Sequence, residues 1–395
     1  MRLPIPFGHP GTIFFVARVP LSRRTFLLST AGAAACGQLK PERFKGYCFV
    51  ANRDDSAVGV VDLARFRLRK QIPLDAPPDT VIAHPSQPRV FVLASQNGTI
   101  YEIDALSLAV RRRMRAGNSA AQMQMSSRGD ALWILYRDPP ALVEAPLDSF
   151  RPRRRIQLAS QPDHFDLRDT RAAVANLADR SIVLASLEHS AIERTIAAGA
   201  EPSIVRFQAD GRQLIAGSRP ERSLTIFDVP TGKTVVRMPL SIEPRHFCFS
   251  ADGGQLYITG EGMDAVVVVY PYQTEVAETV LAGHAPGAMT FADCSPSYLL
   301  VANPQDNGIS ILNFDEMGKK LVATVQVGEQ PGYMLTTPDQ KYALVLDEKS
   351  GDLAVIWLTS LSGRATQAWT KGKPVSVFTV IPVGHGPVSA DVVKL

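Results

Sequence analysis

The sequence predicts an all-β protein: an eight-bladed β-propeller of four-stranded blades, closed by a C-terminal strand that completes blade one. Three observations carry this. A short β-rich run recurs eight times, each recurrence sits in the same order of turn and strand signals, and each chain end holds the part of a blade that the other lacks. The runs are Phe49–Asn52, Val92–Ser95, Trp133–Tyr136, Ala173–Asn176, Leu214–Gly217, Tyr257–Gly260, Leu300–Asn303 and Leu344–Asp347. Their third residues fall at 51, 94, 135, 175, 216, 259, 302 and 346, always 40 to 44 residues apart. A period of that length marks an array of supersecondary units.

Each period opens with an extended inner segment such as Pro202–Gln208, followed by a tight turn: Ala209–Arg212, Ala251–Gly254 or Thr337–Gln340. Asp, Pro and Gly belong there because Asp bonds its own backbone, Pro presets φ and Gly accepts positive φ. The recurring run is the second, anchor strand. A polar loop leads to a third strand, Ser223–Asp228 in one period, and Thr231-Gly232-Lys233 turns into a fourth, Thr234–Met238. Four short strands per period is a propeller blade. The N-terminal end enters directly at an anchor strand, Tyr47–Ala51, with no inner strand before it, and Gly384–Val392 supplies one from the other end. Closure of this kind removes exposed strand edges. Eight blades at ~43 residues need about 344 residues, and 47–395 provides 349; the alternative of seven blades leaves one period over.

Those motifs resemble the YVTN family of β-propeller repeats: Phe-Val-Ala-Asn at 49–52, Val-Ala-Asn at 174–176 and 301–303, Phe-Gln-Ala-Asp-Gly at 207–211, and Gly-x-x-Pro at 199–202, 283–286, 328–331 and 384–387. The resemblance implies the fold over 47–395 and no particular activity. Blades two and three depart most, with Asn118-Ser119 at the proline step and Trp133–Tyr136 at the anchor.

Residues 1–35 read as a removable leader. Ser22-Arg23-Arg24-Thr25-Phe26-Leu27-Leu28 resembles a twin-arginine export signal, and Phe26–Ala35 is ten residues, half of what a spanning helix needs. Ala33-Ala34-Ala35-Cys36 resembles a lipobox in which Cys36 becomes the lipidated N-terminus, with cleavage after Ala35 the plain alternative. Residues 36–46 are then a short linker and 47–395 a single domain, exported to the periplasm or cell envelope. Cys48, Cys248 and Cys294 are far apart and match no CxxC or CxxCH, which excludes c-type haem and leaves them as small buried hydrophobes.

Charge is segregated. The leader holds four arginines and no acid, so the whole net charge of +4 lies there. Within the body, 36–155 hold 19 basic and 12 acidic residues, and 156–395 hold 19 and 26. Three basic runs fall on the predicted outermost strands of blades one to three: Arg65, Arg67, Arg69 and Lys70; Arg111, Arg112, Arg113 and Arg115; Arg151, Arg153, Arg154 and Arg155. Edge protection accounts for outer charges of either sign; twelve basic residues with no acid point further, to an anionic envelope surface or an acidic partner. Nucleic acid fits neither the export signal nor the absence of aromatic interleaving.

Four of the seven histidines take two repeat positions. His164 and His246 lie two residues after a proline, and His284 and His385 lie two before one. Both positions map to one mouth of the channel, where imidazoles would serve a metal, a non-covalent cofactor or acid–base chemistry. Arg53, Arg137, Arg180, Arg219 and Arg222 share that face with acids including Asp54, Asp55 and Glu261. There is no GxSxG, Walker or HExxH motif and no assignable catalytic residue. The sequence therefore reads as a monomeric, non-catalytic scaffold that binds a protein or small ligand on its channel face and needs no cofactor. The competing reading is a periplasmic oxidoreductase or lactonase-like hydrolase using a metal or cofactor at the mouth.

Overall fold

The computed structural model describes residues 43–315, 318–362 and 377–395; the leader and Cys36 lie outside them. The described residues form eight four-stranded antiparallel sheets. Blade one joins Pro387–Lys394 as inner strand to the anchor strand Gly46–Asn52, in register from Gly46↔Lys394 to Ala51↔Ser389. The C-terminal closure and the count of eight are both as the repeat spacing requires. The ring begins slightly ahead of Tyr47: Phe44 is buried and packs with Val61, Tyr342 and Ile381, and the Leu395 amide donates to the Lys45 carbonyl.

Burial explains why the anchor runs are so apolar. Anchor and third strands are buried on both faces, as in Tyr342–Asp347 and Ser181–Ser186, because each blade is stacked between two others. The apolar residues divide into eight clusters, and each draws on two neighbouring blades; Phe49 and Val60 of blade one, for example, pack with Val92 and Ile103 of blade two. Among the described residues, each outer strand buries a single residue, Ile72, Met114, Ile156, Ile196, Met238, Val280, Val325 and Ile381 in blades one to eight.

Two of the recurring motifs meet in space. The Asn ending the anchor run is buried at Asn52, Asn176 and Asn303. Asn303 Nδ2 donates to Ser310 Oγ at 2.8 Å, and Asn52 Nδ2 to the Val383 carbonyl at 2.6 Å. The glycine of Gly-x-x-Pro lies against it: a Cβ on Gly283 would come within 2.8 Å of Asn303, and one on Gly384 within 2.5 Å of Asn52. Blades two and four, which lack that glycine, use Asp79 and Asp163, whose carboxylates accept the backbone N–H of Ser95 and Leu177.

Candidate functional site: a cleft between blades six and seven

The inner strand of blade six, Glu243–Phe249, pairs with the anchor strand Leu256–Glu261 through a bulge: Pro244 faces Gly260, His246 faces Thr259, and Arg245 is the inserted residue. Bulges re-aim side chains and are frequent beside active sites. This one depends on glycine, since a Cβ at Gly260 would sit 1.7 Å from the Glu243 carbonyl oxygen. The bulge turns Arg245 and His246 into a cleft of about 530 Å³, whose far wall includes Asp264, His284 and Gln305.

His284 is held in place. Its Nδ1 lies 3.1 Å from the Asp264 carboxylate, and its backbone N–H donates to Asp306. The hydrogen bond to Asp264 and that carboxylate's charge raise the His284 pKa above its ordinary value, with Gln305 contributing through a further side-chain contact. Asp264 is lowered, first by the Ala285 backbone N–H and then by His284. His246 is exposed on the cleft and shifts the other way: partial desolvation lowers its pKa, and the Arg219 and Arg245 guanidiniums add to the effect. The cleft thus pairs a neutral imidazole with one that a carboxylate orients and stabilises as a cation. Arg245 itself is held by Glu261 at 2.5 Å.

The structure separates the other two candidate histidines. His385 forms a second exposed dyad, Nδ1 to Asp55 at 2.8 Å, on the loop leading into the closing strand of blade one. That loop is fixed to blade one, for the Arg53 amide donates to the Gly386 carbonyl. His164 faces inward, where its Nδ1 accepts weakly from the Val205 amide at 3.4 Å. Burial and then Arg206 lower it to about 3, so it stays neutral. Neighbouring inner strands are bridged in the same way by Gln122, Asp166 and Asp391, which accept the Phe165, Phe207 and Ala83 amides. Among the described residues no group of three or more His, Cys, Asp or Glu could hold a metal ion; the four histidines do not converge on one.

The basic runs lie on the outer surface, and many of their side chains are tied back to the protein. Lys70, Arg112, Arg154 and Arg194, on the outer strands of blades one to four, each donate to a turn carbonyl of the next blade: Leu108, Leu147, Leu187 and Thr231, at 2.6–3.0 Å. Glu102, wholly buried, accepts from Arg89 at 2.9 Å and Arg112 at 2.7 Å, and Arg111 approaches it to 3.8 Å. Arg65 pairs with Asp62 and Arg113 with Asp75, while Arg115 and Arg155 donate to the carbonyls of Gly117 and Ala116. All twelve residues of the three runs are exposed except Arg112 and Arg154, which are half-buried. The mouth rim is likewise cross-linked, by Arg180–Glu201 and Arg222–Glu243.

Sequence reasoning missed Asp264 and Arg245. Asp264 does leave a signal, an acid immediately before a third strand and twenty residues ahead of the histidine of Gly-His-x-Pro. Arg245 leaves none, because the bulge is a matter of register.

The fold and cleft define an eight-bladed propeller with a ligand-sized, imidazole-lined opening on the channel mouth. Residues 173–270 and 231–378 match the family described as "Lactonase, 7-bladed beta-propeller", together just over half of the chain, and the protein belongs to that family. It has eight blades, one more than the description states. No curated protein matches the sequence. Similar solved structures include "Dihydro-heme d1 dehydrogenase NirN in complex with DHE", with TM-score 0.72 at 16% identity over 88% of this chain and 75% of that one. Hydrazine synthase of Kuenenia stuttgartiensis aligns at TM-score 0.55 and 14% identity over 70% and 95% of the two chains. A protein of unknown function from Desulfotomaculum acetoxidans DSM 771 gives 0.56 and 9% over 88% and 98%. At such identities the likeness is one of fold.

Proposed function

We propose that the protein is an exported, envelope-held propeller that binds a small organic ligand in the blade six–seven cleft and opens a cyclic ester there by imidazole acid–base chemistry. The observation that carries this reading is the convergence of Asp264-oriented His284 with neutral His246 and Arg245 on one cleft of about 530 Å³, within the usual size range of ligand pockets. Family membership supplies the reaction class.

In this scheme water adds to the ester carbonyl carbon as its proton passes to Nε2 of His284, and Asp264 stabilises the imidazolium that forms. Arg245 and the N–H of His246 are the donors for the oxygen that gains charge. The C–O bond of the ring then breaks, the departing alkoxide takes the proton back from His284, and the product is a hydroxy-carboxylate. The scheme uses side chains alone. The test is carboxylate release from γ- and δ-lactones by the mature protein, followed by titration at constant pH. Turnover that disappears in His284→Ala supports the reading. Equal rates in wild type and variant would refute it.

A second reading is favoured by the resemblance to the dihydro-haem d1 dehydrogenase over 88% of the chain. The cleft would then take a haem-type macrocycle, with His246 or His284 as the imidazole facing its metal and Arg245 facing a carboxylate. A visible absorption band on adding haem to the protein, lost in the double variant His246→Ala/His284→Ala, distinguishes it. A ligand held without turnover would make the cleft the site of a binding scaffold. Export rests on the twin-arginine run and anchoring on Cys36; a Cys36→Ser chain that leaves the membrane fraction would support the lipid anchor.

A further inference from the structure

We propose a second binding site, on the outer edge of blade two, for an extended acidic segment of a protein partner. The outer strand Ala109–Arg115 is the last of its sheet, and among the described residues no strand pairs with its free edge. Such an edge presents unpaired N–H and C=O groups that an added strand can use. The register places Arg113 opposite Tyr101 and Arg115 opposite Thr99. These pairs line two cavities of about 480 and 400 Å³ that share Asp75 and Arg113 as walls. Arg111, inserted by a bulge between the Glu102 and Ile103 pairings, lines the outer end and is 59% exposed. Arg112 and Glu102 serve the junction with blade three, so Arg112 and its neighbour Arg113 have different work.

Asp75 shows how this surface holds a carboxylate. It arrives on the crossover from blade one, is 57% exposed, and accepts from both the Tyr101 hydroxyl and Arg113. The Tyr101 ring is buried, so its hydroxyl is a fixed donor at the floor of the groove. The Asp75 carboxyl is lowered, chiefly by that hydroxyl. Arg113 and Arg115 are two residues apart along a strand, a spacing of about 7 Å that alternate side chains of an extended peptide match. A segment with acids at every second position would place one carboxylate on each arginine while its backbone bonds the free edge. A flat anionic membrane offers no such strand.

The test is fluorescence anisotropy of a labelled peptide alternating glutamate with threonine, titrated with the mature protein, beside a lysine–threonine peptide and vesicles containing phosphatidylglycerol. The glutamate peptide should bind, weaken with added salt, and lose about tenfold or more in affinity in Arg113→Ala and in Arg115→Ala, as charge-assisted contacts predict. Asp75→Asn should tighten binding, because it removes the resident carboxylate from the same donors. His284→Ala, which leaves this edge intact, should bind as wild type. Binding that ignores Arg113 and Arg115, or that occurs to the vesicles and not to the peptide, would overturn the proposal.

Discussion

The junction of blades two and three and that of blades six and seven are built from the same kinds of residue, arginines and acids at blade edges, and come out opposite. Between two and three, Glu102 is wholly buried beneath Arg89 and Arg112. Arg112 also stacks on Phe150 with its guanidinium 5.0 Å from the ring centroid. Glu102 is thereby closed off by the two guanidiniums. Between six and seven the bulge at Arg245 and the absence of side chains at Gly260 and Gly287 keep the mouth open, and histidines line it. A charge cluster in a repeat protein is structure where the next blade fills over it, and a site where the blades part.

The largest expected effect comes from breaking the closed junction. Glu102→Ala leaves two arginines without their carboxylate and should cost about 3–5 kcal/mol, seen as a lower denaturation midpoint in urea. His284→Ala should leave that midpoint nearly unchanged, since His284 is exposed and at the rim, while lowering turnover by roughly 10²–10⁴-fold, the usual range for an acid–base group. The two variants together separate the junctions: one loses stability and the other activity.

Blade eight supplies a variant in the opposite direction. Asp347 stands where other blades carry Asn52, Asn176 and Asn303, and burial pushes its carboxyl up to about 7. An acid raised in the folded state contributes its stability below its unfolded pKa of about 3.9 and loses it as pH climbs toward 7. Asp347→Asn should therefore stabilise the ring at pH 8 by about 1–3 kcal/mol, with little change at pH 4. The neutral oxygen can still accept the Gly328 N–H that Asp347 holds at 3.0 Å.

The remaining effects are pH dependences of single histidines, seen only over part of the pH range. His164, lowered to about 3 by burial and Arg206, contributes stability above its unfolded pKa of about 6.5 and loses it as pH falls toward 3. His164→Gln should flatten that acid limb in urea melts at stepped pH. His284 has the reverse sign: its pKa is raised, so Asp264 favours the folded state at low pH and the contribution fades as pH rises through the folded value. As a base it works only when deprotonated. Turnover should rise with pH through an inflection above the ordinary histidine value, and Asp264→Asn should move the inflection down.

The fold was legible because its signals are local. Asp-Gly turns, anchor strands buried on both sides and a complementary strand at each chain end are written within a few residues of one another. Even so, the tie between Val-Ala-Asn and Gly-x-x-Pro became intelligible only once Gly283 was seen against Asn303. The site was half legible. Repeat position puts all four histidines on the inner strands or the loops leading into them, but not which of them meet, because that depends on how each ring is turned. His246 and His284 share a cleft, His164 points at Val205, and His385 belongs to blade one. The basic runs were legible only as runs, for a related reason. Their twelve charges are clustered in sequence, whereas their partners are scattered: Lys70, Arg112 and Arg154 reach carbonyls of the following blade, Arg65 and Arg113 pair with Asp62 and Asp75, and Arg112 also meets Glu102 on the adjacent strand.

The two histidine–aspartate dyads offer the most direct test of the central claim, since both are exposed and both have a histidine pKa raised by an aspartate. The measurement is lactone turnover by wild type, His284→Ala and His385→Ala, side by side at one pH. If the blade six–seven cleft is the reactive site, His284→Ala loses at least about a hundredfold and His385→Ala retains the wild-type rate. A loss confined to His385→Ala, or equal turnover in all three proteins, would contradict it.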